Sequence, residues 1–318
     1  MTKVACIGEC MIELKQAQGD RQGGLYSRGF GGDTLNTSVY LARLGVEVDY
    51  VTALGDDPLS DEMIAGWAAE GVGTKRVLRL PGKLPGLYMI QTDEKGERRF
   101  FHWRESAAAR SLMDLPETND ILDSFAEYDL IYFSAITLSL YSEDGRGRLF
   151  AALRRAREGG TRVAFDTNFR ARGWPDLDIA RSVYRDAFEV ADIVLASTED
   201  LLPLYPRQSN DSLMARISSS EAVLKLSDPS SMLRFGGVLH QVKADLVTSP
   251  VVDTTAAGDS FAAAYIAARL TGVAPVAAAE AGHRLAGVVV CHPGAIIPRS
   301  AMPIDVISKP PLSRRACS

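Results

Sequence analysis

The feature that most constrains this chain is an alternation. Short apolar runs trade places with longer segments whose apolar residues recur at helical spacing. Residues 3–10 (KVACIGEC) read as a buried strand. Residues 34–44 (TLNTSVYLARL) place Leu35, Val39 and Ala42 on one helical face and stop at Gly45. A strand over 47–54 follows, then a helix that opens at Asp57-Pro58 and ends before Gly71. The rhythm returns with strands at 130–134, 162–166, 193–196 and 221–226, and helices at 142–158, 177–190 and 275–290. A β-α-β-α order demands a mostly parallel sheet with helices on its outer faces. The expected fold is therefore α/β, a doubly wound domain over residues 1–308, with ligands at the carboxyl ends of its strands.

The alternation breaks once. Residues 86–92 and 98–104 are β-rich and separated by Asp93-Glu94-Lys95-Gly96, a turn sequence. They predict an antiparallel hairpin inserted into the α/β chain. With the segment near 11–16 it forms a small β lid over a site, or else decorates the sheet edge. Residues 18–32 are polar and Gly-rich and read as a loop ending in Gly29-Phe30-Gly31-Gly32-Asp33, which is neither a Walker loop nor G-x-G-x-x-G. Residues 232–235 and 238–242 suggest a second hairpin, and the Pro-rich, basic 309–318 a loose tail.

Chemistry concentrates in 251–261 (VVDTTAAGDSF), ahead of an Ala-rich helix that is apolar nearly all round. Thr254 and Thr255 are suitable caps. Small residues at Ala256, Ala257 and Gly258 leave the helix's first turn open, and its unpaired N–H groups make a seat for an anion. Asp259 lies just inside. A carboxylate beside an anion hole suits phosphoryl transfer, where the N–H groups hold the moving phosphate and the acid takes the hydroxyl proton. An ordinary helix start with a dipole-favoured acid fits the same residues.

Other polar groups fall at strand ends. Gly32, Asp33 and Asn36 can meet sugar hydroxyls, or Asp33 can simply cap a helix. Tyr88 lies on one hairpin strand, and His102 and Arg104 share a face of the other, which is also how an exposed strand face looks. Arg170, in Asp166-x-Asn168-x-Arg170, can clamp a carboxylate together with Arg104, or both can be surface arginines. Ser197-Thr198-Glu199-Asp200 also reads as a capped helix start.

DTTAAGDSF resembles the D-T-x-G-A-G-D-x-F signature of the ribokinase-like carbohydrate kinases. IGECMIEL, GGDTLN, FDTNFR, LASTED and the closing HPGAIIPRSAMP appear in the family's order over nearly the whole chain. The resemblance is to the branch acting on 2-keto-3-deoxygluconate. It implies the fold with its lid, and ATP with Mg²⁺. It implies transfer to the sugar acid's 6-hydroxyl, giving the 6-phosphate of the Entner–Doudoroff route. Asp259 then takes the base role and Ala256, Ala257 and Gly258 the anion hole. Gly32, Asp33, Tyr88, His102, Arg104 and Arg170 fall on sugar-acid contacts. Ser197 and Asp200 stand where relatives carry Asn and Glu, Asp200 reaching Mg²⁺ indirectly. Lys225 and Ser227, with Thr255 and Gly258, fall on the nucleotide side, and His283 near the adenine. The chain departs from the pattern at Ala256, in place of Gly, and after Lys225 (KLSDPS), where two glycines are absent. If Ala256 needs a positive φ, the cost is on the order of 1 kcal/mol. A fructokinase or ribokinase shares the base and anion hole. A non-enzymatic sugar-binding protein on a degenerate kinase fold would explain the absent glycines.

Composition bears on partners. The net charge is −5, with no long basic run, which argues against nucleic acid or an anionic membrane. Cys6, Cys10, Cys291 and Cys317 form neither a zinc pattern nor a disulfide framework. No signal peptide or transmembrane run is visible, so the expected location is cytoplasmic. An exposed lid edge suggests a homo-oligomer.

Overall fold

The computed structural model describes residues 2–17, 24–92, 98–245 and 249–307. The expected turn at Asp93–Gly96 and the tail at 309–318 lie outside them. The chain begins with β1 (Lys3–Ile7), β2 (Met11–Gln16), β3 (Tyr26–Gly31), α1 (Asp33–Arg43), β4 (Glu47–Gly55) and α2 (Pro58–Ala69). Short strands β5 (Val72–Gly73) and β6 (Val77–Leu80) precede β7 (Leu87–Thr92) and β8 (Arg98–Trp103). Then come α3 (Thr118–Asp123), β9 (Leu130–Ser134), α4 (Ala135–Leu140), α5 (Glu143–Glu158), β10 (Arg162–Asp166) and α6 (Leu177–Val190). The last part holds β11 (Ile193–Ser197), α7 (Thr198–Leu204), α8 (Asn210–Arg216), β12 (Glu221–Lys225), β13 (Ser230–Phe235), β14 (Val238–Lys243), α9 (Ala257–Leu270) and α10 (Pro275–Val289).

The main sheet runs β14-β13-β12-β11-β10-β9-β1-β4-β5, with β6 also on β4. It is parallel except where β13 pairs β12 and β14. From β1 the chain first works outward through β4, then returns to β9 on β1's other side. That reversal opens a crevice at the carboxyl ends of the central strands. Alternate residues serve opposite cores: Ala5 and Ile7 of β1 join one, Val4 and Cys6 the other. The second core holds α9, whose residues 260–268 are all buried. Small alanines let α9 lie close to both α1 and α10. Both Cys6 and Cys10 are buried thiols. Among the described residues, no helix is long and apolar enough to cross a membrane.

A second, four-stranded sheet, β3-β2-β7-β8, forms the lid. Here the structure corrects the loop expected over 18–32, because Tyr26–Gly31 is a lid strand. Its glycines hid it, since Gly is a poor strand former. Antiparallel pairing with β2, from Met11↔Gly31 to Gln16↔Tyr26, holds it instead. Glycine at 31 also serves the lid directly, because a Cβ there would overlap the Tyr88 hydroxyl.

The closing stretch is a strap on the helical face. Tyr40 donates its hydroxyl to the Ala295 carbonyl (2.7 Å) and accepts from the Ile297 N–H (3.2 Å), while Arg43 donates to the Ile297 carbonyl (2.7 Å).

One cap expectation fails. The N-cap of α9 is Ala256, with no side-chain cap, so neither Thr254 nor Thr255 caps it. Ala256 is left-handed at φ 61°, ψ 15°. The strain conditionally expected there is therefore present, because a Cβ crowds the carbonyl in this region. Ala256→Gly is expected to leave stability unchanged or raise it by up to about 1 kcal/mol. A urea melt showing a loss of that size would mean that the Ala256 methyl packs usefully.

Candidate active site

Every chemical group of the crevice hangs from a strand end or a helix start. α9 supplies the floor. The Ala257 N–H turns back to the Thr254 carbonyl at 3.2 Å, and the helical ladder begins with Ser260 N–H on the Ala256 carbonyl at 2.9 Å. The N–H groups of Gly258 and Asp259 thus precede the first helical bond, at the positive end of the dipole. Lys225, at the end of β12, adds a full charge. Its ammonium would lie 3.4 Å from a Cβ on Gly258, so glycine keeps that space clear. The same ammonium is 3.6 Å from Asp166 Oδ2.

Asp259 faces this positive corner from inside the turn. Its Oδ2 accepts from Asn36 Nδ2 at 2.8 Å. It keeps part of its surface open to the crevice, yet protein crowds it closely. Burial pushes its carboxyl up to about 8; Asp33 and Asp166 push the same way, while the Asn36 hydrogen bond and Lys225 oppose them. Burial likewise raises Asp166 to about 6, against the pull of Lys225. Asp33 does not cap α1, whose N-cap is Gly32. It accepts instead from Asn168 Nδ2 at 2.8 Å, tying α1 to the segment after β10. The buried Asn36 Oδ1 has no hydrogen-bond partner among the described residues.

The lid closes the other side. Tyr88 donates to Glu13 Oε2 at 2.5 Å and stacks with His102, ring centroids 6.0 Å apart. His102 also stacks on Phe100 at 6.4 Å. Burial, with Arg104 and Arg172 nearby, lowers the His102 pKa, so a neutral ring is favoured. Arg104 is not free: it is paired with Glu9, whose side chain is 1% exposed. Burial raises the Glu9 pKa, and Arg104 pulls it back. Arg170 is the more exposed of the two arginines, its side chain 61% exposed, with one nitrogen on the Phe169 carbonyl and 3.6 Å from Asp200. The expected two-arginine clamp thus begins with Arg104 committed to buried Glu9 and Arg170 held at the exposed side by Asp200 and the Phe169 carbonyl.

Ser197 caps α7 through the Asp200 N–H. Asp200 accepts from the Thr167 hydroxyl (2.9 Å), the Ser197 hydroxyl (2.7 Å) and the Phe169 N–H (3.0 Å). It shapes the strand ends and has little capacity left for a direct metal bond. Among the described residues, no group of three or more His, Cys, Asp or Glu comes together to hold a metal. Ser227 is exposed in the β12–β13 turn, and none of the residues 226–230 has a positive φ. The absent glycines therefore cost that turn no strain. His283 accepts from or donates to Ser231 at 3.0 Å and packs edge-on against Phe261, with burial holding it near pKa 4. Thr255 bonds Asp253 Oδ1 through its N–H (3.0 Å) and hydroxyl (2.6 Å).

Glu9 and Arg172 are absent from the site residues expected from the sequence, and Asp166 and Asn168 appear there without a role. Asp166 and Asn168 stand in the same strand-end run as Arg170, which was the available signal. Nothing local marks Glu9, a lone acid between apolar neighbours, until the lid brings Arg104 onto it.

Residues 1–302 match the family described as pfkB family carbohydrate kinase. The chain is 43% identical to the 2-dehydro-3-deoxygluconokinase of Dickeya dadantii over 309 residues, covering 94% of this chain and 98% of that protein. Its fold is similar to the crystal structure of 2-dehydro-3-deoxygluconokinase from Thermotoga maritima, with TM-score 0.80 and 25% identity over 93% of this chain and 96% of that one. It is also similar in fold to a Xylella fastidiosa fructokinase with bound ATP, with TM-score 0.80 and 23% identity over 95% of each chain.

Proposed function

This chain belongs to the pfkB family of carbohydrate kinases, and from that premise we propose that it transfers the γ-phosphoryl group of ATP to the 6-hydroxyl of 2-keto-3-deoxygluconate. The product is the 6-phosphate. As a carbohydrate kinase the protein is a phosphotransferase. The observation that carries the chemistry is Asp259, a carboxylate with a raised pKa set in the open first turn of α9 beside Lys225.

In this reading the sugar acid lies under the lid, with its 6-hydroxyl against Asp259. The γ-phosphate sits on the N–H groups of Gly258 and Asp259, next to the Lys225 ammonium. As the hydroxyl oxygen bonds to phosphorus, the bond to ADP breaks on the opposite side, and Asp259 takes the hydroxyl proton. An ordinary aspartate is a feeble base at neutral pH. A pKa of about 8 gives Asp259 more driving force while leaving part of it ionised. Asn36 fixes which way the carboxylate faces.

Mg²⁺ bound to the nucleotide's phosphates would neutralise part of their charge. Such an ion usually takes one or two carboxylates plus substrate oxygens, so a three-ligand protein cage is not required. Asp166 is the carboxylate nearest Lys225, and Asp200, already accepting three hydrogen bonds, would reach an ion only through water.

For the substrate's carboxylate, Arg170 offers the more exposed guanidinium and Arg104, held by Glu9, a fixed positive edge. The Dickeya relative's name supports a sugar acid. The Xylella neighbour's bound ATP supports the donor.

The test is ADP release with 2-keto-3-deoxygluconate, 2-keto-3-deoxygalactonate, fructose and ribose. A keto-deoxy acid is expected to give the highest kcat/KM. Arg170→Ala is expected to lower that value about tenfold or more, with less effect on any residual fructose activity. Preference for a neutral sugar would overturn the substrate, and equal losses on acid and fructose would overturn the role of Arg170.

A further inference from the structure

One ion pair joins the lid to the loop that opens α9. Lys15 projects from β2, and its ammonium lies 3.7 Å from Asp253 Oδ2. The Lys15 side chain is 33% exposed, that of Asp253 only 2%. Asp253 is the hub of its region. Its Oδ1 accepts both donors of Thr255, and its Oδ2 accepts the Gly294 N–H at 3.1 Å. The carboxylate thus folds the chain just before left-handed Ala256 and ties it to the turn after α10. The shape of that loop sets where the Gly258 and Asp259 N–H groups point.

Among the described residues the N–H and hydroxyl groups on Asp253 are neutral donors, and the lid contributes a cation. A buried carboxylate gains from a charged partner well beyond what neutral N–H groups supply. With Lys15 at hand the loop is stabilised in its observed shape, and by reciprocity the loop holds the lid down. The two halves of the site, lid on the sugar side and helix start on the phosphate side, are linked through a pair that includes neither Asp259 nor Lys225.

We infer that Lys15 is a positioning residue that couples the seated lid to the phosphate-holding turn of α9, acting through Asp253. This rests on the kinase reading above. It deepens that reading by naming what aligns the acceptor side with the donor side.

The experiment compares Lys15→Met, Lys15→Arg, Asp253→Asn and the double variant Lys15→Met/Asp253→Asn. Each is assayed with whichever sugar the wild-type protein turns over fastest, so a wrong substrate assignment leaves the test intact. Lys15→Met is expected to lower kcat about five- to twentyfold while shifting the sugar KM less than about twofold. Lys15→Arg is expected to recover most of that loss. The double variant is expected to fall no further than Asp253→Asn alone, because both changes remove one coupling. Retention of kcat within about twofold by Lys15→Met, or losses that multiply in the double variant, would overturn the inference. Either result would leave the kinase assignment standing.

Discussion

Asp259→Asn is expected to cut kcat by about 10²–10⁴-fold and, in the same molecule, to stabilise the fold. The two effects share a cause. Asp259 is held at a pKa of about 8, mainly by burial and by Asp33. Its value in the unfolded chain is near 3.9. Between those values the folded protein binds a proton that the unfolded chain has released, so stability falls as pH rises from about 4 to about 8. Asparagine does not titrate and lacks the buried charge. The melting temperatures of wild type and variant should therefore nearly coincide around pH 4 and diverge up to about pH 8. At that upper end the variant should be ahead by at least about 1 kcal/mol. In the wild type, kcat/KM should rise with pH along a limb near 8 as the base ionises. A variant that kept a tenth or more of its kcat, or that melted lower at pH 8, would remove Asp259 from the base role or show that its charge is not costly.

Lys225→Met is the second large effect. The ammonium stands over the first turn of α9, where transferring charge would collect, and removing such a group costs about 10²–10³-fold in kcat. It is also the partner of Asp166, whose side chain is 6% exposed. Breaking a buried pair by deleting one member costs a few kcal/mol, since the survivor is left uncompensated. Lys225 pulls the carboxyls of Asp259 and Asp166 downward, so its loss should also move the acid limb of kcat/KM to higher pH. A pH–rate profile in which the limb stays put, together with kcat within about threefold of wild type, would take Lys225 away from the phosphate.

Much of the main sheet was legible because its strands carry their own record. Runs such as VAF in β10 and IVLA in β11 are apolar, as strands covered on both faces must be, and turn polar only at their carboxyl ends. Strands β9 and β10 and helix α6 occupy the very spans read from periodicity. Strand β3 was not legible. It has glycines and an arginine where a strand usually has branched residues, and only its pairing with β2 makes it one. Short helices α4 and α8, started by the hydroxyls of Ser134 and Ser209, left no periodicity long enough to read, whereas the start of α7 was legible as the capped run at Ser197–Asp200.

The site divides in the same way. Its helix start could be read locally, because an anion seat is made by consecutive residues: small ones at 256–258 and the acid at 259. A left-handed Ala256 was foreseeable as a condition and is realised as a backbone angle. Partners distant in the chain were not readable. Glu9 meets Arg104, Asp33 meets Asn168, Lys15 meets Asp253, and Lys225 meets both Asp166 and the turn at Gly258. By itself the sequence marked the longer strands and helices and the short stretch proposed to hold an anion beside a base, because both depend on neighbours along the chain. Only the tertiary structure decided which arginine is the more exposed, how far Asp259 is pushed toward neutrality and what ties the lid to the helix start. Those depend on burial and on charges brought together across the fold, and their strength is set by distance and dielectric surroundings rather than by residue order.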